Sequence, residues 1–463
     1  MVENKNVRIM IEFFHANTHK GVHIGHIRNI SLGESISRLL EFDGNWVRRV
    51  NYQGDIGPHV AKCIWGYKHF GIGKEPDKHK GKWLGKIYAQ ANEKVKQDES
   101  LEQEIRTLTK KLYEGKDKDL LKLWWKTRQW CLDDFDDFYK EFNVKFNRLF
   151  FESEVEQAGR KLVDDMLKKK TAEKSEGAVI IDLNKYNLGV FLLLRSDGVG
   201  LYSTKDLGLA KLKFDTFKID KSLHIVGKEQ ELYFKQLFRT FDMMKTDWGK
   251  KSQHIIYELV MLPEGKMSSR EGTIVLYEDL KCELYKLAKK EVEIRHEEWS
   301  RKDIEKASKQ IMFAALKFSM LNRDNTRIIT FDWDKALDFE GESGPYVQYA
   351  HARICSILRK HGEKVLDDVD FTILNEEHEL KLIKMLGKFP EVVSEAANHC
   401  KPSLITRYLL DLSQLFNEFY HQIPILKVDD DDVKESRLLL AYCTKSVLKN
   451  GLKLLGIDAP QQM

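Results

Sequence analysis

Near the start of the chain a short β-rich run, Arg8 to Phe13 (RIMIEF), leads into a polar loop, HANTHKG, from His15 to Gly21. Apolar residues at helical spacing follow: Ile27, Ile30, Ile36, Leu39 and Leu40 predict a helix over Ile24 to Phe42. Trp46 to Asn51 then returns as a second strand. A strand–loop–helix–strand unit is the half-unit of a doubly wound, parallel α/β nucleotide-binding fold. The loop brings His23-Ile24-Gly25-His26 to the helix entrance, where free backbone N–H groups favour a phosphate. Gly25 leaves room for a flat base to approach the backbone.

A second motif lies far downstream. Ile255 to Leu262 (IIYELVML) reads as a strand, Pro263-Glu264-Gly265 as a turn, and Lys266-Met267-Ser268-Ser269-Arg270 follows. Either motif alone is weak, since KMSSR is also an ordinary polar turn. Together they resemble the two ATP-handling motifs of class I aminoacyl-tRNA synthetases. The chemistry agrees: displacing pyrophosphate from ATP moves charge onto phosphate oxygens, and fixed donors must meet it. The competing reading of the histidines is a metal site. His15, His19, His23 and His26 are spaced four, four and three apart, but Gly21 interrupts them and there is no HExxH or CxxC. No metal site is expected.

At 463 residues two or three domains are expected, and 42% hydrophobic content supplies cores for them. No apolar run is long enough to span a membrane, and the polar start MVENKNVR shows no signal peptide. Six scattered cysteines, at 63, 131, 282, 355, 400 and 443, fit reduced thiols in the cytoplasm. A net charge of +4 permits RNA binding without arguing for it. From Lys68 to Lys126 the chain turns highly charged and helical, which reads as a solvated insertion rather than a dedicated RNA surface. Gly177–Leu183, Val190–Arg195 and Ser222–Val226 read as strands resuming the nucleotide domain, with a helix over Gln230–Met244. Beyond Leu276 amphipathic helices take over, with irregular links near Arg327–Trp333 and Pro424–Val428.

Five blocks carry a more specific resemblance: IEFFHANTHKGVHIGHIRN, RRVNYQGDIGPHVAK, GLYSTKDLGLA, LPEGKMSSREG and GESGPYVQYAHARICSIL. In this order, across nearly the whole chain, they resemble the arginyl-tRNA synthetase family. The resemblance implies activation of L-arginine by ATP with Mg2+, usually with tRNA present, then transfer to the terminal ribose of arginine tRNA. It implies ATP contacts and catalysis by His23, His26 and Lys266, with Gly25, Ser268 and Ser269 also at the nucleotide. It implies an arginine pocket of Glu12, Asn17, Tyr202, Asp206 and Gln230. Carboxylates suit a guanidinium, which presents a planar fork of donors. Tyr202 and Asp206, four apart, share a face if YSTKD opens a helix. The plainer alternatives are Glu12 paired with a lysine and Asp206 as a helix cap. Tyr346, Tyr349 and Arg353 would stack on anticodon bases, with Met463 nearby; the alternative is that a tyrosine packs in the helical core.

The implied organisation is a Rossmann-type catalytic domain over 1–275 with a helical insertion at about 60–175. A stem-contact helical region over 276–340 and an α-helical anticodon-binding domain over 341–463 follow. Members of the family usually carry a further N-terminal domain; its absence here suggests a short form, a truncation or a partner that supplies it. A cytoplasmic monomer is expected. His15 stands where many members have serine. The rival readings are a non-catalytic tRNA-binding paralogue, a class I synthetase for another amino acid, and a metal-dependent hydrolase.

Overall fold

Ile9, Met10, Ile11 and Glu12 are all buried, as befits a strand covered on both faces. This strand, β1 (Arg8–Glu12), is the centre of a five-stranded sheet. It pairs in parallel with β2 (Trp46–Gln53) on one side and β7 (Lys221–Gly227) on the other. β3 (Arg148–Phe151) pairs in parallel with β2, and β8 (Ser252–Tyr257) completes the order β3-β2-β1-β7-β8. Strand order therefore reverses at β1, and ligands of such sheets bind outside the carboxyl ends of the strands at that switch point. Glu12, the last residue of β1, stands in register with His224 on β7. The structure, a computed structural model, describes residues 5–196, 198, 200–262, 275–366 and 368–463. The chain divides into two compact units: Val7–Val22 with Trp46–Ile256, and Met1–Asn6 with His23–Asn45 and Tyr257–Met463.

In the first unit, four helices stand between β2 and β3: α2 (Pro58–Gly66), α3 (Lys80–Gln97), α4 (Leu101–Glu114) and α5 (Lys118–Glu141). The charged stretch falls mostly here, and it has a core of its own. Trp65, Ala91, Val95, Ile105, Leu112 and Trp124 are buried together. Lysines and glutamates cover the outside, while the 3.6-residue period still lays an apolar side inward.

The strands after the insertion differ from expectation. β4 (Glu173–Ser175), β5 (Ala178–Asp182) and β6 (Val190–Leu194) form a separate antiparallel sheet instead of extending the parallel one. The short link explains this: Asn187 (φ 57°) and Gly189 (φ 66°) turn the chain straight back, whereas a parallel neighbour needs a long crossover. α6 (Glu152–Lys168) and α7 (Tyr202–Phe217) then pack backbone to backbone. A Cβ on Gly159 would lie 2.0 Å from Thr204 O, and one on Gly208 2.3 Å from Val155 O. That contact fixes α7, which carries two expected site residues. α8 (Glu231–Met243) and the short α9 (Trp248–Lys251) follow.

The second unit contains α1 (Ile24–Phe42) and the helices after residue 276. These are α10 (Tyr277–Arg295), α11 (Arg301–Leu321), the short α12 (Trp333–Ala336), α13 (Gly344–His361), α14 (Glu377–Gly387), α15 (Phe389–His399), α16 (Ser403–Gln422) and α17 (Asp431–Leu454). Leu409, Leu412, Phe416 and Phe419 of α16 and Leu438, Leu448 and Leu452 of α17 are fully buried. The stretch IIYELVML is two strands, not one. β8 ends at Tyr257, and β9 (Val260–Met261) pairs in parallel with β10 (Ile329–Thr330), inside the link expected to be irregular. The Glu258 N–H donates to Asn325 O at 2.9 Å, which draws the chain out of the sheet.

Candidate active site

Glu12 is 3% exposed at the carboxyl end of β1. Its Oε2 is in an ion pair with Lys213 of α7, and its Oε1 lies 3.3 Å from His224 Nδ1. Burial alone would push this carboxyl up, but Lys213 and His224 together hold it well below the usual range. Burial also pushes the His224 imidazole down to about 4, so it is neutral at pH 7 and donates through Nδ1. The alternative foreseen for Glu12, a lysine partner, is thus present in the structure.

Asp206 lies in the second turn of α7, whose N-cap is Leu201, so the helix-cap alternative does not hold. The Tyr233 hydroxyl of α8 donates to its Oδ2. Dense surroundings push its half-buried carboxyl up to about 7, against the lowering effect of that hydrogen bond. Glu12, Glu152 and Lys213 are near enough to act on it as charges. Tyr202, the first residue of α7, is 61% exposed. Beside this group Lys205 Nζ donates to Glu152 Oε2 at 2.5 Å and to Tyr113 Oη at 3.1 Å. Burial would lower the Lys205 ammonium, and Glu152 more than restores it.

The loop after β1 is strained. Phe14 (φ 81°), His15 (φ 52°) and His19 (φ 64°) all adopt left-handed backbone, which costs a non-glycine residue about 1–3 kcal/mol. Side chains hold it there. Asn51 Oδ1 accepts the His15 N–H at 3.1 Å, and Asn17 Oδ1 accepts the Gly54 N–H at 3.1 Å. Both ring nitrogens of His19 are occupied, by Thr18 and Thr127 hydroxyls at 2.9 Å each, and burial lowers this imidazole to about 3. His15 Nε2 and Tyr52 Oη are buried without a hydrogen-bond partner. Gln230 is exposed at the N-cap of α8, three residues before Tyr233.

Glu12, Asn17, Tyr202, Asp206 and Gln230 all belong to this unit, and Glu12 and Asp206 are coupled as charges. Lys213, His224, Tyr233 and Tyr52 were not foreseen. Their only sequence signals are an apolar-face lysine seven residues after Asp206 and a histidine on a buried strand.

His23 and His26 open α1 in the other unit. His23 is the N-cap, its N–H donates to His26 Nδ1 at 3.1 Å, and the two rings lie 3.7 Å apart. A Cβ on Gly25 would come within 3.0 Å of the His23 ring. Ile24 N–H donates to Val275 O at 3.1 Å, and His23 bridges Leu276. Lys266, Ser268 and Ser269 lie outside the described residues.

On α13, Tyr346, Tyr349 and Arg353 share one face, and each is half-buried. Asn417 of α16 links two of them: its Nδ2 donates to Tyr346 Oη at 3.1 Å, and its Oδ1 accepts from Arg353 Nη1 at 2.7 Å. The Arg353 guanidinium lies 4.8 Å from the Tyr349 ring centre and 5.4 Å from that of Tyr420. Asn417 and Tyr420 were likewise unforeseen. A different face of α13 holds the chain end, where Gln348 donates to Asp458 O at 2.8 Å and Arg359 to Gln461 O at 2.9 Å. Met463, two residues beyond, is half-buried.

This combination of a switch-point site, a helix opened by paired histidines and a helical carboxyl-terminal region has known counterparts. Residues 1–333 match the family of class I (R) tRNA synthetase catalytic domains, and residues 347–463 match the DALR anticodon binding domain. The chain therefore has the make-up of a class I aminoacyl-tRNA synthetase. The arginine–tRNA ligase of Bdellovibrio bacteriovorus is 39% identical over 99% of this chain and 80% of its own length. That of Clostridioides difficile is 33% identical over 99% and 80%. Arginyl-tRNA synthetase of Thermus thermophilus superposes with a TM-score of 0.86 at 26% identity, covering 99% of this chain and 83% of that one. This chain belongs to the arginine–tRNA ligase family.

Proposed function

We propose that the chain activates L-arginine with ATP and transfers the arginyl group to the 3′-terminal ribose of arginine tRNA. In the first step a carboxylate oxygen of arginine attacks the α-phosphorus of ATP, and pyrophosphate leaves. In the second, a ribose hydroxyl attacks the carbonyl carbon of the adenylate, and AMP leaves. The observation that carries the substrate assignment is Asp206. Its carboxyl sits half-buried at the switch point with one hydrogen-bond donor, Tyr233, and its surroundings penalise the charge. A guanidinium supplies the partner such a carboxylate lacks, and does so with fork geometry.

Glu12 adds fixed negative charge, Tyr202 flanks the entrance, and Asn17 and Gln230 hold the amino and carboxylate ends of the substrate. His15, with its unpartnered Nε2, stands beside Glu12 where it meets the amino end. His23, Gly25 and His26 receive the phosphates of ATP with its Mg2+, and Lys266, Ser268 and Ser269 stabilise the departing pyrophosphate. Tyr346, Tyr349 and Arg353 take anticodon bases, with Met463 at their margin. No helix among the described residues is long and apolar enough to cross a membrane; the protein works as a cytoplasmic monomer.

The test is exchange of pyrophosphate into ATP, with and without arginine tRNA, run across the standard amino acids. Arginine alone should support it. His26→Ala and Lys266→Ala should each slow it by about 3–4 kcal/mol, the usual cost of removing one preorganised donor. Exchange with another amino acid, or none with any, overturns the reading.

A further inference from the structure

Lys213 is 1% exposed, an unusual place for an ammonium group. It stands on α7 seven residues after Asp206, two helical turns along the same face. Its ion-pair partner is Glu12, one strand end away from His224. Both carboxylate oxygens of Glu12 thus face protein cations or donors: Oε2 faces Lys213, and Oε1 faces the neutral His224. His224 Nε2 in turn lies 3.1 Å from Ser222 Oγ, which fixes the ring. The neighbouring Glu152–Lys205 pair cancels its own charge. That leaves Glu12, Lys213 and, once ionised, Asp206 facing one another: two negative charges and one positive.

We propose that Lys213 is a specificity-determining positioning residue, a resident cation that clamps Glu12 and leaves the pocket with one net negative charge for a singly cationic side chain. The proposal rests on the arginine reading and adds a counter-charge to it. Lys213 touches Glu12, not the substrate, and acts through it. Each carboxylate oxygen has two lone pairs, so a clamped Glu12 still accepts from a guanidinium. Without Lys213 the pocket holds two carboxylates close together, and one of them takes up a proton instead of binding. Without Glu12 the uncompensated ammonium of Lys213 faces the incoming guanidinium and repels it.

The sign of the coupling between the two residues separates this role from simple packing. Glu12→Gln, Lys213→Met and the double variant are compared by arginine KM and kcat in pyrophosphate exchange. Glu12→Gln should raise the arginine KM about a hundredfold, the effect of leaving one member of a buried pair alone. The double variant, larger in chemical change, should bind arginine better than Glu12→Gln. Citrulline, the neutral isostere of arginine, adds a specificity readout. Its binding relative to arginine, measured by competition, should rise in Glu12→Gln and fall back in the double variant. Lys213→Arg keeps the cation and should stay close to wild type, while Lys213→Met raises KM with kcat at saturation largely kept.

A double variant no better than Glu12→Gln, or Lys213→Arg as impaired as Lys213→Met, overturns the proposal. Should Glu12→Gln fail to fold, Lys213→Arg against Lys213→Met still decides. Wild-type exchange with arginine is the separate control on the arginine reading itself.

Discussion

Under the proposed function, the pocket around Glu12 and Asp206 and the cluster on α13 and α16 meet different binding problems with the same kinds of residue. Both join aromatic rings to charged groups. In the pocket the charges are deep: Glu12 and Lys213 are 3% and 1% exposed and pair with each other. In the cluster Tyr346, Tyr349 and Arg353 are half-buried, and a neutral amide, Asn417, holds Tyr346 and Arg353. A small, rigid, cationic ligand can be read by a low-dielectric site whose charge is fixed in advance. A long, solvated polyanion needs flat faces and a cation that stays near water, because its phosphates bring their own charge and counterions. The difference predicts which variants affect which substrate.

Asp206→Asn should separate the two regions most strongly. It removes the carboxylate facing the guanidinium and should cost about 3 kcal/mol in arginine affinity, with ATP and tRNA binding unchanged. If ATP and arginine affinities fall together, Asp206 serves the fold instead of the substrate. Tyr349→Ala should do the converse. It removes one stacking face, costing about 1–3 kcal/mol in tRNA binding, and the arginine KM at saturating tRNA should not move. A titration in which this variant binds arginine tRNA like wild type would remove the anticodon role from α13.

Acidity sharpens the contrast. In the free protein the Asp206 carboxyl titrates at about 7, raised by burial. It is protonated below that pH and must lose its proton to pair with a guanidinium. Arginine affinity should therefore fall as pH falls, by about tenfold per unit below pH 7, and level off above it. Measuring the arginine KM between pH 5.5 and 8 by roughly half-unit steps checks this; a flat profile would mean the carboxylate is already ionised in the empty pocket. The smallest effect is expected at Asn417, which touches no ligand in this reading. Asn417→Ala frees Tyr346 and Arg353 and should weaken tRNA binding by about 1 kcal/mol, the worth of ordinary hydrogen bonds, with the arginine KM unchanged.

What the sequence revealed and what it hid follow from the range of the interactions. The helix opened by His23 and the shared face of Tyr202 and Asp206 depend on spacing within one element, and spacing is written in the chain. The partner of Glu12 depends on which helix crosses the end of β1. Lysines are abundant, and nothing in the sequence marks Lys213, 201 positions away, as the one that reaches it. Tyr233 was hidden for the same reason, since its role requires α7 and α8 to be side by side at Asp206. The antiparallel sheet of β4 to β6 was missed because VFLLLR reads as a continuous apolar run, the mark of a strand covered on both faces, whereas β6 leaves Val190 and Leu192 exposed. Only the tight turn at Asn187 and Gly189 marks the antiparallel pairing.

The start of α1 has a mechanical consequence. The Arg28 guanidinium, fully buried, donates to Asn325 O at 2.9 Å and Arg327 O at 3.0 Å, and reaches Leu259 O at 3.5 Å. Asn29 donates to Tyr257 Oη at 3.2 Å, while Ile24 and His23 hold Val275 and Leu276. One helix end thus ties down the chain on both sides of the Lys266 motif. Arg28 is the peg of this arrangement: losing its one side chain would release Leu259, Asn325 and Arg327 together from the helix that His23 opens.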